Sequence, residues 1–260
     1  MLKIITTLTV FLIGILAKGQ VTENRNVSAF SKVTVANGIE LIYTENPSTS
    51  LQIESENQTV LNEIITEVNG KTLKITMEKG TQIPSNETVK VYLSAQNIVA
   101  LEAHSKAKIT IIDQFNAHHL NILLDSGATL TGNIKTLEKT KLYAANGTVF
   151  NGKIETKILK GNFKSNAKIN LTGKAENASF QTADSALLSA KNFIANTINL
   201  SANGKSVAMI HANTNVALNV TDQARVSYTG FPEKIELNEE AQAFKKSDYN
   251  SLVSYNNVSN

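Results

Sequence analysis

Few side chains in this 260-residue chain could carry chemistry, and they fall into three groups. Asp125 follows Leu123-Leu124 and precedes Ser126-Gly127. An aspartate on such a turn activates water for peptide hydrolysis when it shares a proton with a second aspartate. The histidines His104, His118, His119 and His211 titrate nearest neutrality and could bind a metal or move a proton. On a straight strand, adjacent His118 and His119 would point to opposite faces and could not hold one ion together; either could instead meet Asp113. The third group is ionic. The carboxylates Glu102, Asp113, Asp125, Glu138, Glu155, Glu176, Asp184 and Asp222 are thinly spread, yet a convergent pair would suffice to cleave a glycosidic bond. Lys135, Lys139, Lys141, Lys153, Lys157 and Lys160 outnumber the acids in their stretch and would attract an anion in a salt-sensitive way.

Composition narrows these choices. Cysteine is absent, which excludes disulfides, thiolate metal sites, a cysteine nucleophile and a lipid-modified cysteine. There is no glycine-rich phosphate loop followed by Lys-Ser/Thr, and no spaced glycine fingerprint after a strand. Lys3, the apolar run Ile4 to Leu16, and Ala17-Lys18-Gly19 follow the order of a secretory signal peptide. The run is too short to cross a ~30 Å hydrocarbon layer as a helix. Residues 1–19 are therefore expected to be removed, giving an exported protein with no transmembrane segment. Without them 23 basic side chains face 22 acidic ones, so no nucleic-acid partner is expected.

What positions the candidate residues is a repeat. From Leu101 onward a small polar residue is followed four places later by an apolar one: Ser105/Ile109, Ser126/Leu130, Asn146/Phe150, Ser165/Ile169, Asp184/Leu188, Asn203/Val207 and Asp222/Val226. These starts lie 21, 20, 19, 19, 19 and 19 residues apart. Two places after each start the residue is small, except for Lys205; four places before, it is apolar, except for Gly161 and Asn199. A fixed period near twenty marks a unit whose apolar side its neighbours must cover. Period-two alternation within each copy, as in "AKINLTG", makes the unit a strand-built coil. The prediction is an all-β chain: a β-solenoid, parallel β-helix-like, over residues 98–237, with coils of 19–21 residues stacked ~4.8 Å apart.

Before the coils, residues 20–97 read as a β-rich head. Asn37-Gly38 supplies the positive φ of a tight hairpin. Leu61, Ile64, Ile65 and Val68 fall at helical spacing, so one short helix is expected there, stopped by Asn69-Gly70. After the coils, Gly230-Phe231-Pro232 interrupts the pattern, Ile235 to Leu237 reads as one more strand, and residues 238–260 form a polar tail or cap.

Ile122 to Thr129 resembles the active-site loop of retropepsin-like aspartic peptidases, and that resemblance stops at Thr129. At the same place in later copies stand Ala145-Asn146-Gly147, Lys164-Ser165-Asn166, Ala183-Asp184-Ser185, Ala202-Asn203-Gly204 and Thr221-Asp222-Gln223. Asp125-Ser126-Gly127 is therefore read as one coil turn among several. No residue is assigned a catalytic, metal or cofactor role, and no cofactor is expected.

The opening Phe-x-x-Val-x-Val-x-Asn-Gly-Ile at Phe30 to Ile39, the Val68-Asn69-Gly70 stop, the Leu-x-Ile strand at Leu73 to Ile75 and the small-residue coils that follow together resemble the bacterial auto-transporter adhesin family with a head GIN domain. The likeness runs from about Ala29 to Leu237. It implies a secreted or surface-exposed β-helical protein and brings no catalytic residues. The leading expectation is an exported, non-enzymatic module binding an envelope glycan or a surface protein, with homo-oligomers through sheet edges as a further option. The alternative is a polysaccharide lyase or hydrolase on the same scaffold.

Overall fold

The computed structural model describes residues 20–239. The expected signal segment lies outside them, as does all but the start of the expected tail. The strands in chain order are β1 (Val21–Asn24), β2 (Lys32–Val35), β3 (Glu40–Glu45) and β4 (Ser50–Ser55); after helix α1 (Gln58–Asn62) come β5 (Ile64–Asn69), β6 (Thr72–Met77), β7 (Val89–Ala95) and β8 (Ala100–Ala103). Long bent strands follow: β9 (Lys108–Leu124), β10 (Thr129–Ala144), β11 (Val149–Phe163), β12 (Lys168–Thr182), β13 (Leu187–Ala202) and β14 (Val207–Val220), then the short β15 (Arg225–Thr229) and β16 (Lys234–Leu237). As predicted, the chain is all-β with one short helix and forms a parallel β-solenoid of about seven turns.

Each long strand pairs in parallel with the one before and the one after it. Like positions therefore stack ~4.8 Å apart. A coil presents three sides, exemplified in β9 by residues 108–111, 114–117 and 119–124, here called the first, second and third. Alternation along each strand sends one set of side chains inward. Six of the seven apolar residues predicted to form the inner spine are buried: Ile109, Leu130, Phe150, Ile169, Leu188 and Val226. Burying each contributes ~1.5–3 kcal/mol gross.

The seventh, Val207, faces outward and Ala208 takes its place beside Leu188. The cause is a bulge in β13: Asn170 pairs with Ser189, but Thr172 pairs with Asn192. One extra residue near Ala190–Lys191 bends the strand and shifts the rest of β13 and the start of β14 by one, until the register slips back within β14. Leu200 and Ser206 then occupy the inward positions that Asn199 and Lys205 had seemed to break. Gly161 is a different exception. It stacks between Leu142 and Phe180, and a Cβ there would sit 2.8 Å from both Phe163 Cε2 and Phe180 Cδ1. Glycine leaves room for those two rings.

The coil corners hold the small polar residues. At Ser126-Gly127, Asn146-Gly147, Ser165-Asn166 and Asp184-Ser185 both residues have positive φ, which Gly, Asn, Asp and Ser tolerate best. The second corner residue donates its N–H to the carbonyl of the first in the next coil: Lys106 to Ser126, Gly127 to Asn146, Gly147 to Ser165 and Asn166 to Asp184. Gly38 donates to Ser105 in the same way. Asn37-Gly38 is thus a solenoid corner rather than the predicted hairpin, because β2 and β3 pair in parallel with β8 and β9 and not with each other.

The first turns are closed by antiparallel pieces. On one side the order is β1-β4-β7-β3-β9, with β1 and β4 antiparallel at the edge; on the other, the β5–β6 hairpin flanks β2 and β8. The helix is shorter than predicted. Asn57 caps it by accepting from Val60 N–H at 2.8 Å, and Arg25 donates to the Leu61 carbonyl at its end. Ile64 to Asn69 forms a strand instead, because its β-branched residues meet β6 in a ladder, and Asn69-Gly70 makes that hairpin's turn.

Interior polar groups are few and mostly satisfied. Thr136 Oγ1 reaches Thr156 Oγ1 at 2.7 Å and Thr140 Oγ1 at 3.0 Å, and Thr182 Oγ1 meets Ser206 Oγ at 3.1 Å. Thr148 is the exception: its buried hydroxyl has no partner, at a position where neighbouring coils carry Ala128 and Ala167. An unsatisfied buried hydroxyl costs ~1–3 kcal/mol. Thr148→Val, which keeps the volume, should therefore raise stability by about 1 kcal/mol, read as a higher denaturant midpoint at unchanged slope.

Candidate functional site

The residues singled out for chemistry do not converge. Asp125 lies on a corner, and its carboxylate accepts from Asn146 Nδ2 at 2.6 Å in the next coil. The residues beside it in adjacent coils, following the paired Ala103, Leu124 and Ala144, are His104 and Ala145. Neither is the acid that a shared-proton dyad needs. Asp222 Oδ2 accepts from Gly204 N–H at 3.1 Å, another corner contact. Glu102 faces His104 Nε2 at 3.9 Å and Thr34. Asp113 sits at a bend with φ 61. On the second side Glu155 pairs with Lys153 at 2.6 Å; that hydrogen bond, with Lys174 and Lys135 nearby, holds its carboxyl below the usual range.

The histidines depart from the expected geometry. His118 and His119 both face solvent, with their Nδ1 atoms 3.4 Å apart. Strand alternation fails there between the second and third sides, where the pairing slips by one: Ala117 pairs with Thr136 but His119 pairs with Lys139, the extra residue lying in β10. His118 faces Glu138 at 3.7 Å rather than Asp113. Among the described residues no group of three or more His, Cys, Asp or Glu could hold a metal ion. His211 Nδ1 lies 3.0 Å from Thr229 Oγ1 in the next coil.

The feature with a shape suited to a ligand is on the third side. Two shallow open depressions there, of about 380 and 340 Å³, share Ser179 and Gln181 and so adjoin along the face from β10 to β14 and β16, here called the groove. Its floor is the outward set of the stacked strands. Tyr143, Asn162, Gln181, Ser201 and Asn219 form one row, and Lys141, Lys160, Ser179 and Asn199 the next. Asn162 Nδ2 donates to Gln181 Oε1 at 2.9 Å, which fixes both amides. At the groove's β10–β11 end the Lys164 ammonium lies 5.4 Å from the Tyr143 ring centre; a hydrogen bond to Tyr143 raises its pKa above the usual lysine value. At the other end Glu236 is tied to Lys234 at 2.6 Å.

Such a surface offers amide and hydroxyl donors and acceptors at coil spacing, one aromatic ring, and ammonium groups at one end. Among the described residues its one lining acid, Glu236, is paired with Lys234. Sequence reasoning placed Lys141 and Lys160 among its candidates but missed the serines and amides, which lie 18–20 residues apart and share a face only through the coil pairing.

The comparisons agree with this architecture. No curated protein sequence matches the chain. Among solved structures, a "putative lipid binding protein" from Parabacteroides distasonis is 18% identical, covers 84% of this chain and 94% of its own, and has a TM-score of 0.74. A "putative adhesin" from Parabacteroides merdae is 16% identical, with coverages of 85% and 96% and a TM-score of 0.75. Another "putative adhesin" from Parabacteroides distasonis is 14% identical, with coverages of 85% and 94% and a TM-score of 0.76. At those identities the likeness is one of fold. Among the described residues no helix is long and apolar enough to cross a membrane. Residues 29–232 match one family along most of the chain, and the protein therefore belongs to the family described as "Putative auto-transporter adhesin, head GIN domain".

Proposed function

We propose that this chain is an exported, non-enzymatic adhesion module that holds an envelope or surface glycan in the groove of its third side. The observation that carries this reading is the polar floor of the two adjoining open depressions, made of Tyr143, Asn162, Ser179, Gln181, Asn199 and Asn219. Sugar hydroxyls are donors and acceptors, and a row of amides and hydroxyls meets both needs. That floor suits a sugar better than the acyl chain of a lipid, which would cover its polar groups without hydrogen-bonding them. The family's description as an adhesin fits binding rather than turnover.

Ser179 tests it, because this outward side chain lines both depressions. The full chain should bind a subset of glycans on an array. Ser179→Trp should weaken that binding by at least about tenfold by filling the groove, with an unchanged circular dichroism spectrum and melting temperature. If no arrayed glycan binds, or Ser179→Trp binds as well as the parent, the groove is not a glycan site.

A further inference from the structure

The groove is chemically polarised along its length, and its charged end is unsatisfied. Lys141 and Lys160 are directly paired positions on β10 and β11, so their backbones stand ~4.8 Å apart and both side chains leave the sheet on the same face. Like charges placed side by side on paired strands destabilise a sheet. Neither lysine has an ion-pair partner among the described residues, and no acid stands beside either in the ladder, whereas on the second side Glu155 stacks between Lys135 and Lys174 and pairs with Lys153, and at the far end Lys234 pairs with Glu236. Lys164, kept charged beside Tyr143, adds a third ammonium at this end. From Ser179 onward to Asn219 the floor carries no charge. A solvated lysine surface requires no such division, and a ligand with its own division would match it.

Resting on the reading of the groove as a glycan site, we propose that its ligand is a linear polysaccharide of mixed acidic and uncharged sugars lying parallel to the solenoid axis. An acidic sugar sits at Lys141 and Lys160, and uncharged sugars lie over Ser179, Gln181, Asn199 and Asn219. The coil repeat of ~4.8 Å is close to the length of one pyranose, so successive sugars meet successive coils. The amides of Asn162 and Gln181 face the sugars' hydroxyl or N-acetyl groups, and the anionic group relieves the Lys141/Lys160 repulsion. Nucleic acid is a poor match, because the basic end covers two coils, the floor from Ser179 to Asn219 is neutral and the far end carries an acid, Glu236.

A matched pair of probes tests the proposal: an oligosaccharide of five uncharged hexoses ending in one uronic acid, and the same oligosaccharide with that carboxylate reduced to the alcohol. By calorimetry at low salt, the full chain should bind the first about tenfold more tightly than the second, with the difference shrinking as salt rises. Lys141→Gln combined with Lys160→Gln should lower binding of the acidic probe to the level of the reduced probe. Equal binding of both probes, or a double variant that discriminates as the parent does, overturns the acidic assignment while leaving the glycan reading in place. Failure of both probes to bind also overturns it, and Ser179→Trp-sensitive binding on the array then shows that the broader reading survives.

Discussion

Gly173→Ala should remove about 3–5 kcal/mol of folding stability, visible as a large fall in denaturant midpoint or as failure to recover folded protein. Gly173 stacks between Ile154 and Phe193 on β12, with φ at +108, a region that side-chain-bearing residues rarely enter. A Cβ would be driven onto the Ile154 carbonyl oxygen and would lie 2.9 Å from that residue's carbonyl carbon and nitrogen. Backbone is what it meets, so no rotamer change relieves the clash. The ladder on both sides holds that backbone in place. Gly147→Asn is the control: it too has positive φ, at +73, but a Cβ there meets nothing within 4 Å, and asparagine serves other corners. Its cost should stay near 1 kcal/mol. Similar losses at the two sites would show that left-handed backbone alone, and not the approach of the neighbouring coil, sets the requirement for glycine.

Phe180→Ala should cost about 3–5 kcal/mol, the usual range for deleting a buried ring. Its ring lies in the interior between Phe163 and Phe193, with centroids 6.1 Å from each. Gly161, next to it in the preceding coil, has given up its own side chain to admit those rings. The cavity left by alanine would have no flexible neighbour to close it, since the surrounding strands are paired on both edges. Thermal melting checks this, with Phe180→Leu expected to lose clearly less because it keeps most of the volume. A loss under 1 kcal/mol for the alanine variant would mean that the aromatic stack is not a main support of the solenoid.

The period, the corner residues and the inner spine were legible because a stacked coil imposes the same demand at the same place every turn. Ser126, Asn146, Ser165 and Asp184 advertise left-handed corners, and Ile109 to Leu188 mark the interior. The reading slipped where local irregularity outweighs the repeat. The bulge near Ala190–Lys191 exchanged Val207 for Ala208, and its signal was present: Asn199 and Lys205, two exceptions to the pattern, fall in the same coil. Ile64 to Val68 satisfies helical spacing yet is rich in β-branched residues, and the partner strand β6 decides the matter. His118 and His119 obey strand alternation only on a straight strand, and they lie where the pairing slips by one. The groove was hardest to see. Serine and asparagine on a solvated strand carry no distinctive spacing, and only the coil pairing gathers Ser179, Asn199 and Asn219 into one wall.

Because each coil packs almost entirely against the coils before and after it, duplication or loss of a single twenty-residue unit should leave most of the stack intact. Such an event lengthens or shortens the groove by one rung while preserving its cross-section. Under the proposed polysaccharide binding, gene-level slippage would act as a ruler, setting how many consecutive sugars the molecule spans without altering how any one of them is held.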